Sequence, residues 1–135
     1  MSVRILIVDD HVAMRQGLAQ ALASEPDLEV VGEAADGLSA VELARELKPD
    51  LIVMDIVLPR LNGIDATRQI NKELPETVVI GLSVYPSRGY AARMLDAGAR
   101  AYVLKDSGPA DLLRAIQAVR KGRTYLSPGI EDLDT

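Results

Sequence analysis

The run from residue 51 to 59, LIVMDIVLP, constrains the fold of this chain more than any other stretch. Seven of its nine residues are aliphatic or methionine, and a single carboxylate, Asp55, sits among them. A short apolar run rich in Val and Ile reads as a strand buried on both faces, the state of a central strand in a parallel sheet. A carboxylate inside such a run is costly unless it lies at the strand's end, facing water, a metal or a positive partner. Pro59 cannot continue a central ladder, and Asn62-Gly63 is a strong turn pair. The strand therefore ends near Asp55, with the carboxylate at its carboxyl end. In open parallel sheets ligands bind at that edge.

The rest of the chain supplies the partners of such a strand. Residues 3–8 form an apolar run broken only by Arg4, and it closes on Asp9-Asp10. Over 12–23, Met14, Gly17, Leu18, Ala21 and Leu22 recur at the helical period, and Pro26-Asp27 turns the chain. A second strand is predicted over 28–34 and a helix over 39–47, through Val41, Ala44 and Leu47, stopped by Pro49. After the strand holding Asp55, Ile64, Thr67, Ile70 and Leu74 make one helical face. A fourth strand over 77–83 ends in the hydroxyl of Ser83. A helix over 87–97 places Ala91, Met94 and Leu95 inward, with Gly98 as its stop. A short fifth strand over 101–104 leads straight into Lys105. The last helix, 109–121, opens on Pro109, where a missing donor does no harm. Five strands alternate with five helices, which is the pattern of a doubly wound α/β domain with a parallel sheet. After Gly122 the segment TYLSPGIEDLDT has no sustained period, so 123–135 reads as a tail or the start of a linker.

Bulk properties narrow the chemistry. A chain of 135 residues with 48% apolar and 26% charged residues fits one domain with a real core. A formal charge of −5 argues against nucleic-acid binding by this segment itself, since such domains carry a basic face. With no cysteine, disulfides and thiolate chemistry are excluded, and one histidine, His11, excludes zinc sites built on several imidazoles. With no Phe and no Trp, the core must be aliphatic. No apolar run approaches the roughly 18 residues of a membrane span, and the N-terminus lacks a signal-peptide pattern. A cytoplasmic protein with no membrane partner is expected.

The strand ends then gather Asp9 and Asp10, Asp55, Ser83 and Lys105 on one edge. Carboxylates brought together raise one another's pKa unless a cation is present. A cluster built from oxygen donors favours a hard ion, Mg²⁺ most naturally. One lysine and one hydroxyl beside it supply what a transferred phosphoryl group needs, and a carboxylate can itself be the nucleophile. Taken singly, each residue has an ordinary role. An Asp after a strand caps or turns, Lys105 is a surface charge, Ser83 a loop hydroxyl, Tyr102 a half-buried strand aromatic. His11 belongs to the entry of the first helix and is read neither as a ligand nor as a phosphate carrier. The joint placement at four strand ends is what favours a site.

These marks resemble the receiver domain of two-component response regulators. VDD at 8–10, Asp55 followed by LP at 58–59 and NG at 62–63, LS at 82–83 and YVLK at 102–105 carry the resemblance, which covers residues 3–122. VDDH, SVY, AGARAYVLKDS and KGRTYLSP are similar to the NarL/FixJ group, whose members usually carry a LuxR-type helix-turn-helix output domain. The resemblance implies a flavodoxin-like, chemotaxis-regulator-like (βα)5 fold with a five-stranded sheet in the order 2-1-3-4-5. It implies a receiver over 1–122 and, over 123–135, a tail or the start of a linker to an output domain outside this chain. It further implies Asp55 as phosphoacceptor, with Ser83 and Lys105 binding the phosphoryl oxygens. Mg²⁺ would be held by Asp10, Asp55 and the backbone carbonyl of Val57, and by Asp9 through a water. Ser83 and Tyr102 would form the switch. The implied donor is a sensor histidine kinase. The implied outcome is a homodimer on phosphorylation that regulates transcription, touching DNA only through the output domain. Such a protein is not an enzyme beyond its own phosphotransfer and slow autodephosphorylation.

Two departures from the family pattern matter. Asp106 stands where many receivers have a proline after the lysine. A non-proline cis bond costs about 2.5–4 kcal/mol, so a trans bond is expected. Val57 and Tyr85 occupy the positions two after Asp55 and two after Ser83, where they flank the line of attack by water. An aspartyl-phosphate hydrolase of the haloacid dehalogenase type needs an acid where Val57 stands, and Val57 cannot serve. A degenerate receiver, acting only as an interaction module, is the other alternative.

Overall fold

The computed structural model describes residues 2–130. The last five residues of the expected 123–135 tail lie outside the described residues. The elements run β1 (Val3–Val8), α1 (Val12–Ala23), β2 (Leu28–Ala34), α2 (Gly37–Leu47), β3 (Leu51–Asp55), α3 (Gly63–Glu73), β4 (Val78–Ser83), α4 (Arg88–Asp96), β5 (Ala101–Leu104), α5 (Pro109–Arg120) and β6 (Tyr125–Leu126). All strand pairs are parallel, in the order β2-β1-β3-β4-β5-β6. The period of two along each strand divides the core into two layers. Ile5, Ile7, Leu51, Val53, Ile80, Leu82 and Val103 pack with α1 and α5. Leu6, Val8, Ile52, Met54, Val79, Tyr102 and Leu104 pack with α2, α3 and α4. Covered on both faces, β3 is buried at every position, as its unbroken apolar composition requires.

Local chemistry sets the helix starts. Asp36, Asn62 and Ser87 accept hydrogen bonds from the backbone N–H of Ser39, Asp65 and Tyr90, three side-chain caps at α2, α3 and α4. Gly63 is required by close approach. A Cβ there would lie 1.9 Å from the carbonyl oxygen of Asp55, so only glycine lets α3 begin directly against the end of β3. No described helix is long and apolar enough to cross a membrane. The bond between Lys105 and Asp106 is trans.

The sheet has six strands rather than the expected five. Tyr125 N–H donates to the Arg100 carbonyl at 3.1 Å and Ser127 N–H to the Tyr102 carbonyl at 3.0 Å, so part of the presumed tail lies along the open edge of β5. A two-residue strand is too short for any period to reveal it. Side chains hold it. The fully buried carboxylate of Asp111, in the first turn of α5, accepts from the hydroxyls of Tyr125 and Ser127. Ser127 Oγ in turn accepts from Leu104 N–H at 2.9 Å. Tyr102 is more deeply buried than an isolated strand aromatic would be. It has no solvent exposure, because it points into the layer beneath α4.

Candidate functional site

Register decides which strand ends meet. Val8 pairs with Met54, which brings Asp9 beside Asp55, and Asp55 pairs with Leu82, which brings Ser83 alongside. Ser83 pairs with Leu104, which delivers Lys105 to the same edge. Asp9, Asp55 and Ser83 are buried, whereas Asp10 remains exposed. Lys105 Nζ donates to Asp55 Oδ2 at 3.1 Å and lies 2.9 Å from Asp9 Oδ2. The contact to Asp9 is ionic, since Asp9 Oδ2 makes no well-formed hydrogen bond. Two buried acids thus share one ammonium.

The electrostatics follow from that shortage of positive charge. Burial pushes the Asp55 carboxyl above its ordinary value. Lys105 opposes the shift, and the charges of Asp9 and Asp10 add to it. Burial works to lower the Lys105 ammonium, but its close pairing with Asp9 and the charge of Asp55 outweigh that, and its pKa rises. The cluster is one that another cation would stabilise. Ligand atoms of Asp9, Asp10, His11 and Asp55 lie within 4.8 Å of one another, and the buried Asp9 Oδ2 meets only the ammonium that Asp55 also uses. Carboxylate oxygens fit a hard divalent ion.

A cleft of about 170 Å³ opens over Asp55 and is lined by Asp10, His11, Val57, Ser83, Val84, Tyr85 and Lys105. That is smaller than pockets for drug-sized ligands, about 300–1,000 Å³, and it suits a phosphoryl-sized group. Apolar side chains form its rim, with Val57 56% exposed and Val84 61%. Ser83 Oγ accepts from Tyr85 N–H at 3.0 Å, and the Tyr102 hydroxyl donates to the Tyr85 carbonyl at 2.7 Å. Tyr85 stacks on Tyr90 of α4, with ring centroids 5.1 Å apart.

Asp9, Asp10, Asp55, Ser83 and Lys105 therefore come together as the strand-end argument expects, and Val57 stands at the rim. Tyr102 reaches the site through Tyr85. Sequence reasoning missed Arg15, whose Nη1 donates to the Asp9 carbonyl at 2.6 Å, and the facing of His11 toward the acids. The DDH sequence was the available signal for His11. Nothing local marks Arg15.

Residues 5–117 match the family model described as the response regulator receiver domain. The chain belongs to that family. Among curated relatives of this receiver domain, the transcriptional regulatory protein LiaR of Bacillus subtilis is 44% identical over 92% of the chain and 59% of LiaR. DegU of Brevibacillus brevis is 38% identical over 95% of the chain and 54% of DegU. The chain thus spans little more than half the length of these relatives. Among solved structures, a LuxR-family two-component response regulator from Aurantimonas sp. SI85-9A1 superposes with a TM-score of 0.92 at 39% identity, covering 96% of this chain and 93% of that one. The response regulator domain of CheB from Thermotoga maritima gives 0.81 at 39% identity, covering 87% and 95%. The receiver fold and membership of the LuxR/NarL group agree with the resemblance read from the sequence.

Proposed function

We propose that this receiver takes a phosphoryl group on Asp55 from a sensor histidine kinase and uses it to shift conformation. The observation that carries the reading is the Lys105 ammonium placed between buried Asp9 and Asp55, with Ser83 beside them. An Asp55 carboxylate oxygen attacks phosphorus as the bond to the donor imidazole breaks, leaving an acyl-phosphate. The small cleft holds the group, Lys105 and the Ser83 hydroxyl take its oxygens, and the apolar rim restricts water. The residues suited to hold Mg²⁺ are Asp10, Asp55 and the Val57 carbonyl, with Asp9 acting through a water. When bound, the ion would neutralise charge on the transferring oxygens.

Switching is read as a population shift, because the acyl-phosphate favours the packing in which Ser83 and Lys105 reach it. Ser83 is tied to Tyr85, and Tyr85 to Tyr102 and to Tyr90 of α4, so movement of the hydroxyl reaches α4 and β5. The outcome would be transcription control by a homodimer through a DNA-binding output domain. The relatives named as transcriptional regulators support that reading. Phosphotransfer of this kind is stoichiometric and followed by slow autodephosphorylation. The site would act as a cytoplasmic switch rather than as an enzyme.

The test is intact-mass measurement after incubation with Mg²⁺ and acetyl phosphate. Wild type gains one phosphoryl group and Asp55→Asn gains none. Turnover of many equivalents would instead indicate a hydrolase, and no gain in wild type an interaction module.

A further inference from the structure

The segment after α5 is bonded to the very residues of β5 that border the site. Ser83 pairs across the sheet with Leu104, and Lys105 is the next residue along the chain. Leu104 therefore stands between the hydroxyl and the ammonium beside Asp55. On its other side it meets residues 125–130. Leu104 N–H donates to Ser127 Oγ at 2.9 Å, and Ser127 N–H donates to the Tyr102 carbonyl at 3.0 Å. A Cβ added to Gly129 would lie 3.0 Å from Leu104 Cδ1, and Ile130 packs on the layer that holds Leu104 and Tyr102. The fully buried carboxylate of Asp111 accepts from the hydroxyls of Tyr125 and Ser127, with Arg114 Nη2 3.3 Å away. A buried carboxylate is costly without its donors, so Tyr125 and Ser127 are held as one unit.

We propose that residues 125–130 are an autoinhibitory strap, which holds Leu104, and through it Ser83 and Lys105, in the resting position and is loosened by a phosphoryl group on Asp55. The inference rests on reading Asp55 as the phosphoacceptor. To reach phosphoryl oxygens, Ser83 and Lys105 turn from their present partners, Tyr85 N–H and the paired acids. Both movements act on Leu104, one across the ladder and one through the peptide bond. The strap fits the resting place of Leu104 by a hydrogen bond on its N–H and by glycine against its side chain, and a close-packed contact of this kind loses more than it gains when one side shifts. Coupling between two sites is reciprocal, so a docked strap disfavours the phosphoryl state by the factor with which that state loosens the strap. β6 lies in the segment read as the start of a linker, so its release would carry the signal to whatever that linker joins.

Beryllofluoride, which mimics a phosphoryl group on a carboxylate and binds reversibly, allows both halves of this coupling to be measured. Backbone amide exchange is followed in wild type with Mg²⁺, with and without beryllofluoride, after intact mass has shown that acetyl phosphate adds one phosphoryl group. Exchange at Tyr125 and Ser127 is expected to quicken by about fivefold or more on binding, while the centre of β3 does not quicken. In the reverse direction, Ser127→Ala and Tyr125→Phe, both outside the cleft over Asp55, are expected to bind beryllofluoride severalfold tighter than wild type, whereas a merely destabilised fold would bind it no tighter. Unchanged or slower exchange over 125–130 with beryllofluoride bound, or equal or weaker binding by both variants, overturns the strap while leaving Asp55 as phosphoacceptor. Failure of wild type to gain phosphoryl or to take up beryllofluoride overturns the receiver reading and the strap with it.

Discussion

The Tyr102 hydroxyl donates to the backbone carbonyl of Tyr85 at 2.7 Å, and Tyr85 N–H donates to Ser83 Oγ at 3.0 Å. A buried aromatic on β5 is therefore tied, through one residue of the β4–α4 loop, to the hydroxyl beside Asp55. Tyr102→Phe keeps the ring in its layer but leaves the Tyr85 carbonyl without this donor. A loss of about 1 kcal/mol in urea unfolding is expected. Amide exchange of the 84–87 loop should quicken with it. Unchanged exchange in that loop would show that the bond does not restrain it.

The rim of the cleft should set how long the acyl-phosphate lasts. Val57 is 56% exposed and Tyr85 40%, so both can be shortened or made polar without opening the core. Val57→Asn offers a water a hydrogen-bonding partner, and Tyr85→Ala removes a bulky screen. Loss of phosphoryl from each variant, followed by intact mass after removal of donor, should be severalfold faster than from wild type. Equal or slower decay would remove the shielding role.

Asp111 should be the staple of the last strand. It is fully buried and accepts from Tyr125 and Ser127, which lie 14 and 16 residues further along the chain. Asp111→Ala leaves both hydroxyls without their acceptor, at a cost of about 2–3 kcal/mol. Amide exchange at Tyr125 and Ser127 should rise more than at the centre of β3. A uniform rise across the sheet would mean that β6 is not separately held.

The pair between α2 and α3 carries a pH signature. Arg45 donates to both carboxylate oxygens of Glu73 at 2.6 and 2.8 Å, and this bond, helped by Gln69, lowers Glu73 from 4.5 to about 2. A depressed folded-state pKa contributes stability that is present above pH 4.5 and lost as pH falls toward about 2. Carbon-detected NMR of the Glu73 carboxyl should give a midpoint well below that of a free glutamate, and Arg45→Gln should return it to the ordinary range. Both groups are solvent-facing, so the effect on global unfolding should be small.

What the sequence determined by itself was the alternation of elements and the chemistry at the strand ends. Apolar runs, helical spacing and Pro or Gly punctuation are local signals, and a doubly wound parallel sheet brings all carboxyl ends to one edge. Those signals suffice to collect Asp9, Asp10, Asp55, Ser83 and Lys105 on that edge. The tertiary structure decided what depends on register and on partners far along the chain. Pairing of Val8 with Met54 and of Ser83 with Leu104 put one ammonium between two buried acids. The direction of the His11 ring came from a backbone turn that residue type does not encode. β6 escaped sequence reading because two residues have no period, and because what holds them is a carboxylate on another element. The carboxylate of Asp55 was legible from its own strand; the company it keeps was set by its neighbours.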